Sequence, residues 1–154
     1  GCPLGVASGP RQGTPSILLR PERLSVSEFC PRLTTLTQEQ VAGGISFSEA
    51  CSLLRKQYLV KERIWASYGD YDRRQFERQC QASSLPFPFG SRHLNIKSLL
   101  ALIYALPLEV GMAEALQLLQ LPLEVVHHRG GDDAWNIAAI LDAILRRARG
   151  SFVT

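Results

Sequence analysis

The sequence His128-Arg129-Gly130-Gly131-Asp132-Asp133-Ala134-Trp135-Asn136 decides how the C-terminal part of this chain is interpreted. It places a histidine, His128, and a carboxylate, Asp133, at H-x4-D spacing. The apolar residues that follow recur at i, i+3, i+4, i+7 and i+8, namely Ile137, Ile140, Leu141, Ile144 and Leu145. This spacing predicts an amphipathic helix that starts near Asp132. A histidine therefore comes just before a helix whose first turn carries a carboxylate.

Two explanations of the acidic first turn stay open. Asp133 lies four residues before Ile137 and shares its core-facing side, where an unpaired charge is costly. In the first explanation, Asp132 or Asp133 caps the free amides of the helix. In the second, one of them caps the helix and the other belongs to a functional site. His127 and His128 are packed or surface residues, or one is a general base, since the unperturbed pKa of histidine is about 6.5.

A second pair of carboxylates follows a predicted strand. Residues 63–68 are short, β-branched and aromatic, which is typical of a strand. Asp70 and Asp72 come directly after it, at the start of a helix predicted over residues 72 to about 83. Ligand sites in open α/β sheets collect at the carboxyl ends of strands. Each aspartate taken alone also fits a helix cap.

The rest of the chain predicts an α/β protein. Ser46, with Glu49 at the third helical position, predicts a capping box at the start of a helix. The other predicted elements are strands at residues 2–7 and 16–20 and helices near 37–43, 95–106 and 112–119. Strands that alternate with helices favour a sheet flanked by helices. The 154 residues predict a single domain spanning 1–154.

Composition predicts an ordinary globular protein of the cytoplasm. The net charge of +3 permits a polyanionic partner without requiring one. Four widely spaced cysteines with no C-x-x-C pattern predict reduced thiols. Residues 1–20 lack the features of a signal peptide, and the longest apolar stretch, 99–108, is too short to span a membrane. We therefore expect a cytoplasmic protein without a membrane partner.

Several stretches, in a fixed order, resemble the DEDDh 3′–5′ exonucleases, the superfamily of ribonuclease T and the proofreading subunit of bacterial polymerases. The similarity is greatest to the ERI/KapD-like branch. The matching stretches are 29–38 (similar to FCxxLTxIxQ), 65–72 (the second exonuclease motif), 94–97 (LNxK), 127–130 and 132–138. The resemblance covers about residues 14 to 147 and implies an RNase H-like fold, a mixed sheet flanked by helices.

The resemblance also implies roles for particular residues. Asp72 matches the metal ligand of the second motif, with Asp70 as the less favoured choice. Asp133 matches the ligand of the third motif, and His128 the general base that deprotonates the attacking water. The implied cofactors are two Mg²⁺ or Mn²⁺ ions, since carboxylates hold hard cations. The implied substrates are the 3′ ends of single-stranded RNA or DNA.

The sequence departs from the family in its first motif, a D-x-E on the first strand. No such pair is present, and the first acidic residue is Glu22. The resemblance therefore implies a fold that lacks its first central strand and two of four acidic ligands. We expect impaired catalysis, with the strand supplied by an upstream segment or a second chain. The alternative is an inactive module that binds nucleic acid or protein, and the substrate-contacting residues stay unassigned.

Overall fold

The computed structural model describes residues 17, 19, 43–123 and 130–150. Their helices and strands are, in order, α1 (Phe47–Lys56), β1 (Trp65–Ser67), α2 (Tyr71–Ala82), β2 (His93–Asn95), α3 (Ile96–Ile103), α4 (Met112–Leu118) and α5 (Gly130–Gly150). Strands β1 and β2 pair in a parallel sheet. The described residues fall into two compact units, the first formed by 66–74, 93–123 and 130–150 and the second by 17, 19, 43–65 and 75–92. The predicted single domain stays a prediction.

The first unit is built around α5. Helices α3 and α4 both pack against it. The buried core combines two apolar residues from each of these three helices: Ile96, Leu100, Ala115, Leu116, Ile140 and Ile144. Burial of each large aliphatic side chain stabilises the unit by about 1.5–3 kcal/mol. The helical periodicity predicted for the C-terminal segment is thus confirmed at its two most deeply buried isoleucines.

The second unit centres on the contact between α1 and the C-terminal part of α2. The predicted capping box is confirmed, because Ser46 Oγ accepts from the Glu49 amide and Glu49 accepts from the Ser46 amide. Cys51 and Cys80 are free thiols buried against aromatic rings. Burial raises the pKa of Cys80 to about 11, so this thiol stays protonated at neutral pH.

Several element boundaries differ from the sequence predictions. Strand β1 is three residues long instead of six, because Arg63 and Ile64 are exposed in the preceding turn. Strand β2 was not predicted, and its last residue, Asn95, was placed in the helix predicted near 95–106. Helix α3 ends at Ile103, and Ala105 takes a positive φ of 50° that no helix continues through. Helix α5 begins at Gly130, two residues before the predicted start.

Some predictions concern residues outside the described part of the chain. These are the strand at 2–7, the helix near 37–43 and the family-like stretch 29–38. Of the strand predicted at 16–20, Leu19 forms an isolated parallel bridge with Ile45. No helix among the described residues is long and apolar enough to cross a membrane.

Candidate active site

The turn that joins β1 to α2 has a tightly bonded backbone. Gly69 adopts a φ of +89°, a conformation that glycine takes without the steric cost of a Cβ. Its carbonyl oxygen accepts a hydrogen bond from Ser67 Oγ at 2.6 Å. Its amide donates to Asn95 Oδ1 at 3.2 Å. The turn is therefore hydrogen-bonded both to the end of β1 and to the end of β2.

Asn95 connects this turn to the start of α3. Its Oδ1 also accepts from the amides of Lys97 and Ser98, at 3.1 and 3.3 Å, which caps the helix. The aliphatic part of Lys97 lies over Gly69, and its Nζ is 3.9 Å from Glu109 Oε2. One side-chain oxygen thus positions three backbone amides, and a cationic side chain borders the turn.

Asp72 and Asp133 lie close enough for their charges to interact. Asp72 is in the first turn of α2, and Asp133 is near the start of α5. Partial burial raises the pKa of the Asp72 carboxyl above its ordinary value, and the negative charge of Asp133 raises it further. Both carboxylates belong to the first unit. A cation placed there would relieve their repulsion.

Asp70 has a different environment from Asp72. Its carbonyl oxygen accepts from the Arg74 amide at 3.0 Å, which is the first hydrogen bond of α2 and makes Asp70 the N-cap residue. The charge coupling to Asp133 involves Asp72. The choice of Asp72 over Asp70 as a metal ligand stays a prediction, and this coupling favours it.

The described residues supply only part of a metal centre. His127 and His128 lie outside them, as does the side chain of Asp132. Within the described ranges, no three histidine, cysteine or acidic side chains cluster in a way that would hold a metal ion. Two carboxylates are hard oxygen ligands that suit Mg²⁺ or Mn²⁺, so Asp72 and Asp133 fit one side of such a centre. Further ligands are needed to complete it.

Tyr71 is a candidate site residue that the sequence reasoning missed. It precedes Asp72 directly, and its side chain is 75% exposed. A large aromatic ring in solvent beside a carboxylate is typical of a surface that stacks against a planar ligand. The signal in the sequence is weak, because an aromatic residue near a helix start is more often part of a core.

The comparisons with known proteins point to exonucleases. The chain is 30% identical over 141 residues to 3′-5′ exoribonuclease 1 of Rattus norvegicus and over 139 residues to that of Homo sapiens, covering 83% of this chain in both. It spans about two-fifths of the length of these relatives, 40% in both matches. No family model matches the chain.

Solved structures of exonucleases have a fold similar to that of this chain. The nuclease domain of 3′hExo, a DEDDh family member bound to rAMP, superposes with a TM-score of 0.85 at 27% identity, covering 93% of this chain and 76% of that one. A 3′-exonuclease solved for recognition of the histone mRNA stem-loop has a TM-score of 0.81 at 26% identity, over 94% and 69%. The architecture is that of an RNase H-like exonuclease domain, as predicted.

Sequence and structure agree on the family. The chain belongs to the DEDDh family of 3′–5′ exonucleases, which confirms the resemblance seen in the sequence motifs.

Proposed function

We propose that this chain forms part of a metal-dependent site that removes nucleotides from the 3′ end of RNA. The observation that carries the proposal is that Asp72 and Asp133 lie near the starts of two helices of the same unit, where the negative charge of Asp133 raises the pKa of the Asp72 carboxyl. In the family motifs these same positions hold metal ions. A pair of adjacent carboxylates is costly for a fold to maintain, so it favours a ligand of opposite charge.

The residues take distinct roles in this proposal. Asp72 and Asp133 hold a divalent cation, Mg²⁺ or Mn²⁺, which when bound stabilises negative charge on the scissile phosphate. His128 acts as general base toward the attacking water, because a neutral imidazole accepts a proton near physiological pH. In the sequence His128 comes two residues before Gly130, the first residue of α5, and five residues before Asp133.

RNA is the favoured nucleic acid. The similar curated proteins are named exoribonucleases, and the similar structures contain rAMP or recognise an mRNA stem-loop. Beside Asp72, the exposed ring of Tyr71 offers a stacking surface for an unpaired base, a contact worth about 1–3 kcal/mol per base. The cationic side chain of Lys97, at the border of the same turn, suits a phosphate.

Catalysis by this proposal needs two more carboxylates, which the D-x-E motif supplies in the family. Among the described residues β1 pairs with β2 alone, so its other edge is where a further strand would add its hydrogen bonds. An upstream segment or a second chain supplies that strand. The proposal requires that strand for a complete metal centre. The scarcity of carboxylates also favours a second candidate, a module that binds RNA ends without cleaving them.

The two candidates are separated by adding the missing strand. A 5′-labelled single-stranded RNA is incubated with Mn²⁺ and either this chain or the chain preceded by the D-x-E strand of a similar exonuclease. The proposal predicts stepwise shortening from the 3′ end by the extended protein, abolished by His128→Ala, and much slower shortening by the chain itself. RNA binding without shortening in both proteins would favour the second candidate. Neither binding nor shortening would refute both.

A further inference from the structure

A buried serine and a histidine lie directly behind the turn that carries Asp72. Ser67, the last residue of β1, is only 5% exposed. Its Oγ is 2.8 Å from Nε2 of His93, the first residue of β2, and 2.6 Å from the carbonyl oxygen of Gly69. The proposed function gives neither side chain a role, although buried polar groups are costly to maintain.

The chemistry of the three groups fixes the direction of the two hydrogen bonds. The Gly69 carbonyl only accepts, so the single hydroxyl proton of Ser67 points toward it. The Ser67 oxygen then accepts from His93, which places a proton on Nε2. The result is a directed chain from His93 through Ser67 to Gly69.

We infer that Ser67 and His93 are positioning residues that hold the Gly69–Asp72 turn and thereby fix the position of the Asp72 carboxylate. The inference rests on the proposed function for its consequence, metal binding, but not for its geometry. The turn is held at one residue from two sides, since the carbonyl of Gly69 is bonded to Ser67 and its amide to Asn95. Only two residues lie between Gly69 and Asp72, so a shift of Gly69 moves the carboxylate.

Matched variants test the inference through Mn²⁺ affinity, followed by electron paramagnetic resonance. His93→Gln keeps an N–H near the position of Nε2, whereas His93→Asn is equally polar but too short to reach Ser67. We expect Ser67→Ala and His93→Asn to weaken Mn²⁺ binding about fivefold, which is the effect of one lost hydrogen bond. We expect His93→Gln to bind Mn²⁺ as well as the unaltered chain does. Ser98→Ala is the control, since it removes a serine hydrogen bond, 2.5 Å to Glu109, away from the turn.

A metal-free measurement separates this inference from the proposed function. Ser67→Ala and His93→Asn are expected to speed hydrogen exchange of the Gly69 amide, while His93→Gln and Ser98→Ala leave it unchanged. If the unaltered chain binds Mn²⁺ but Ser67→Ala and His93→Asn bind it equally well, the inference is wrong and the proposed function stands. If Mn²⁺ binds neither to the unaltered chain nor to the chain preceded by the D-x-E strand, the proposed function fails, and the exchange rates alone decide whether the turn is held as inferred.

Discussion

Asn95 connects the Gly69–Asp72 turn to α3 through hydrogen bonds. We therefore expect Asn95→Ala to be much less stable than the unaltered protein. The substitution removes three acceptor contacts at once, to the amides of Gly69, Lys97 and Ser98. Loss of the helix cap costs about 1 kcal/mol, and an unpaired, half-buried Gly69 amide costs about 1 kcal/mol more. The expected decrease in the free energy of unfolding is therefore about 2 kcal/mol.

Urea denaturation followed by circular dichroism measures this decrease against two controls. Asn95→Asp keeps an acceptor oxygen and adds a negative charge at a helix N-terminus, so it is expected to retain most of the stability. Ser98→Ala removes one exposed hydrogen bond and is expected to cost less than about 1 kcal/mol. If Asn95→Ala unfolds within about 0.5 kcal/mol of the unaltered protein, the described bonding of the turn is wrong.

Three further predictions concern the rest of the structure. The pKa of Asp72 in the folded state is raised above its ordinary value of 3.8. Between pH 3.8 and this raised pKa, the folded state binds more protons than the unfolded state, so stability falls as pH rises through that range. Asp72→Asn is therefore expected to melt at a higher temperature than the unaltered protein at neutral pH, and this difference is expected to disappear below pH 3.8. Equal melting temperatures at neutral pH would contradict the charge coupling to Asp133. Gly90→Ala places a methyl group against the backbone carbonyl of Lys61 and is expected to lower the free energy of unfolding by about 1–3 kcal/mol in urea titrations, whereas an unchanged midpoint would mean that this contact is absent. Tyr71→Ala is expected to weaken binding of single-stranded RNA about tenfold in fluorescence anisotropy while Tyr71→Phe preserves it, and equal binding by both would remove the stacking role.

The helices were predictable because their apolar residues repeat along a single face. In α5 the buried Ile140 and Ile144 follow the spacing that the sequence shows, and Ser46 with Glu49 marks the start of α1 through local bonds. Strand β2 was not predictable in this way. It has three residues, and its one apolar residue, Leu94, is exposed while His93 and Asn95 are partly buried, so it lacks the apolar pattern of a half-buried strand.

The site was predictable only in part. The family motifs picked out Asp72 and Asp133, but the electrostatic coupling between them depends on the tertiary fold, which no local pattern shows. The contact between Ser67 and His93 joins residues 26 positions apart, and no local sequence pattern connects them. Asn95 was assigned to the predicted helix, whereas its side chain caps that helix and fastens the turn.

The central claim, that Asp72 and Asp133 form one cation site, is tested most directly by Mn²⁺ titration with electron paramagnetic resonance. Asp142→Asn is the matched control, because Asp142 lies on α5 but pairs with Arg146 at 2.8 Å. We predict that Asp72→Asn and Asp133→Asn each weaken Mn²⁺ binding on the order of tenfold or more, and that Asp142→Asn leaves it unchanged. Equal Mn²⁺ affinity in the unaltered protein and all three variants would contradict the claim.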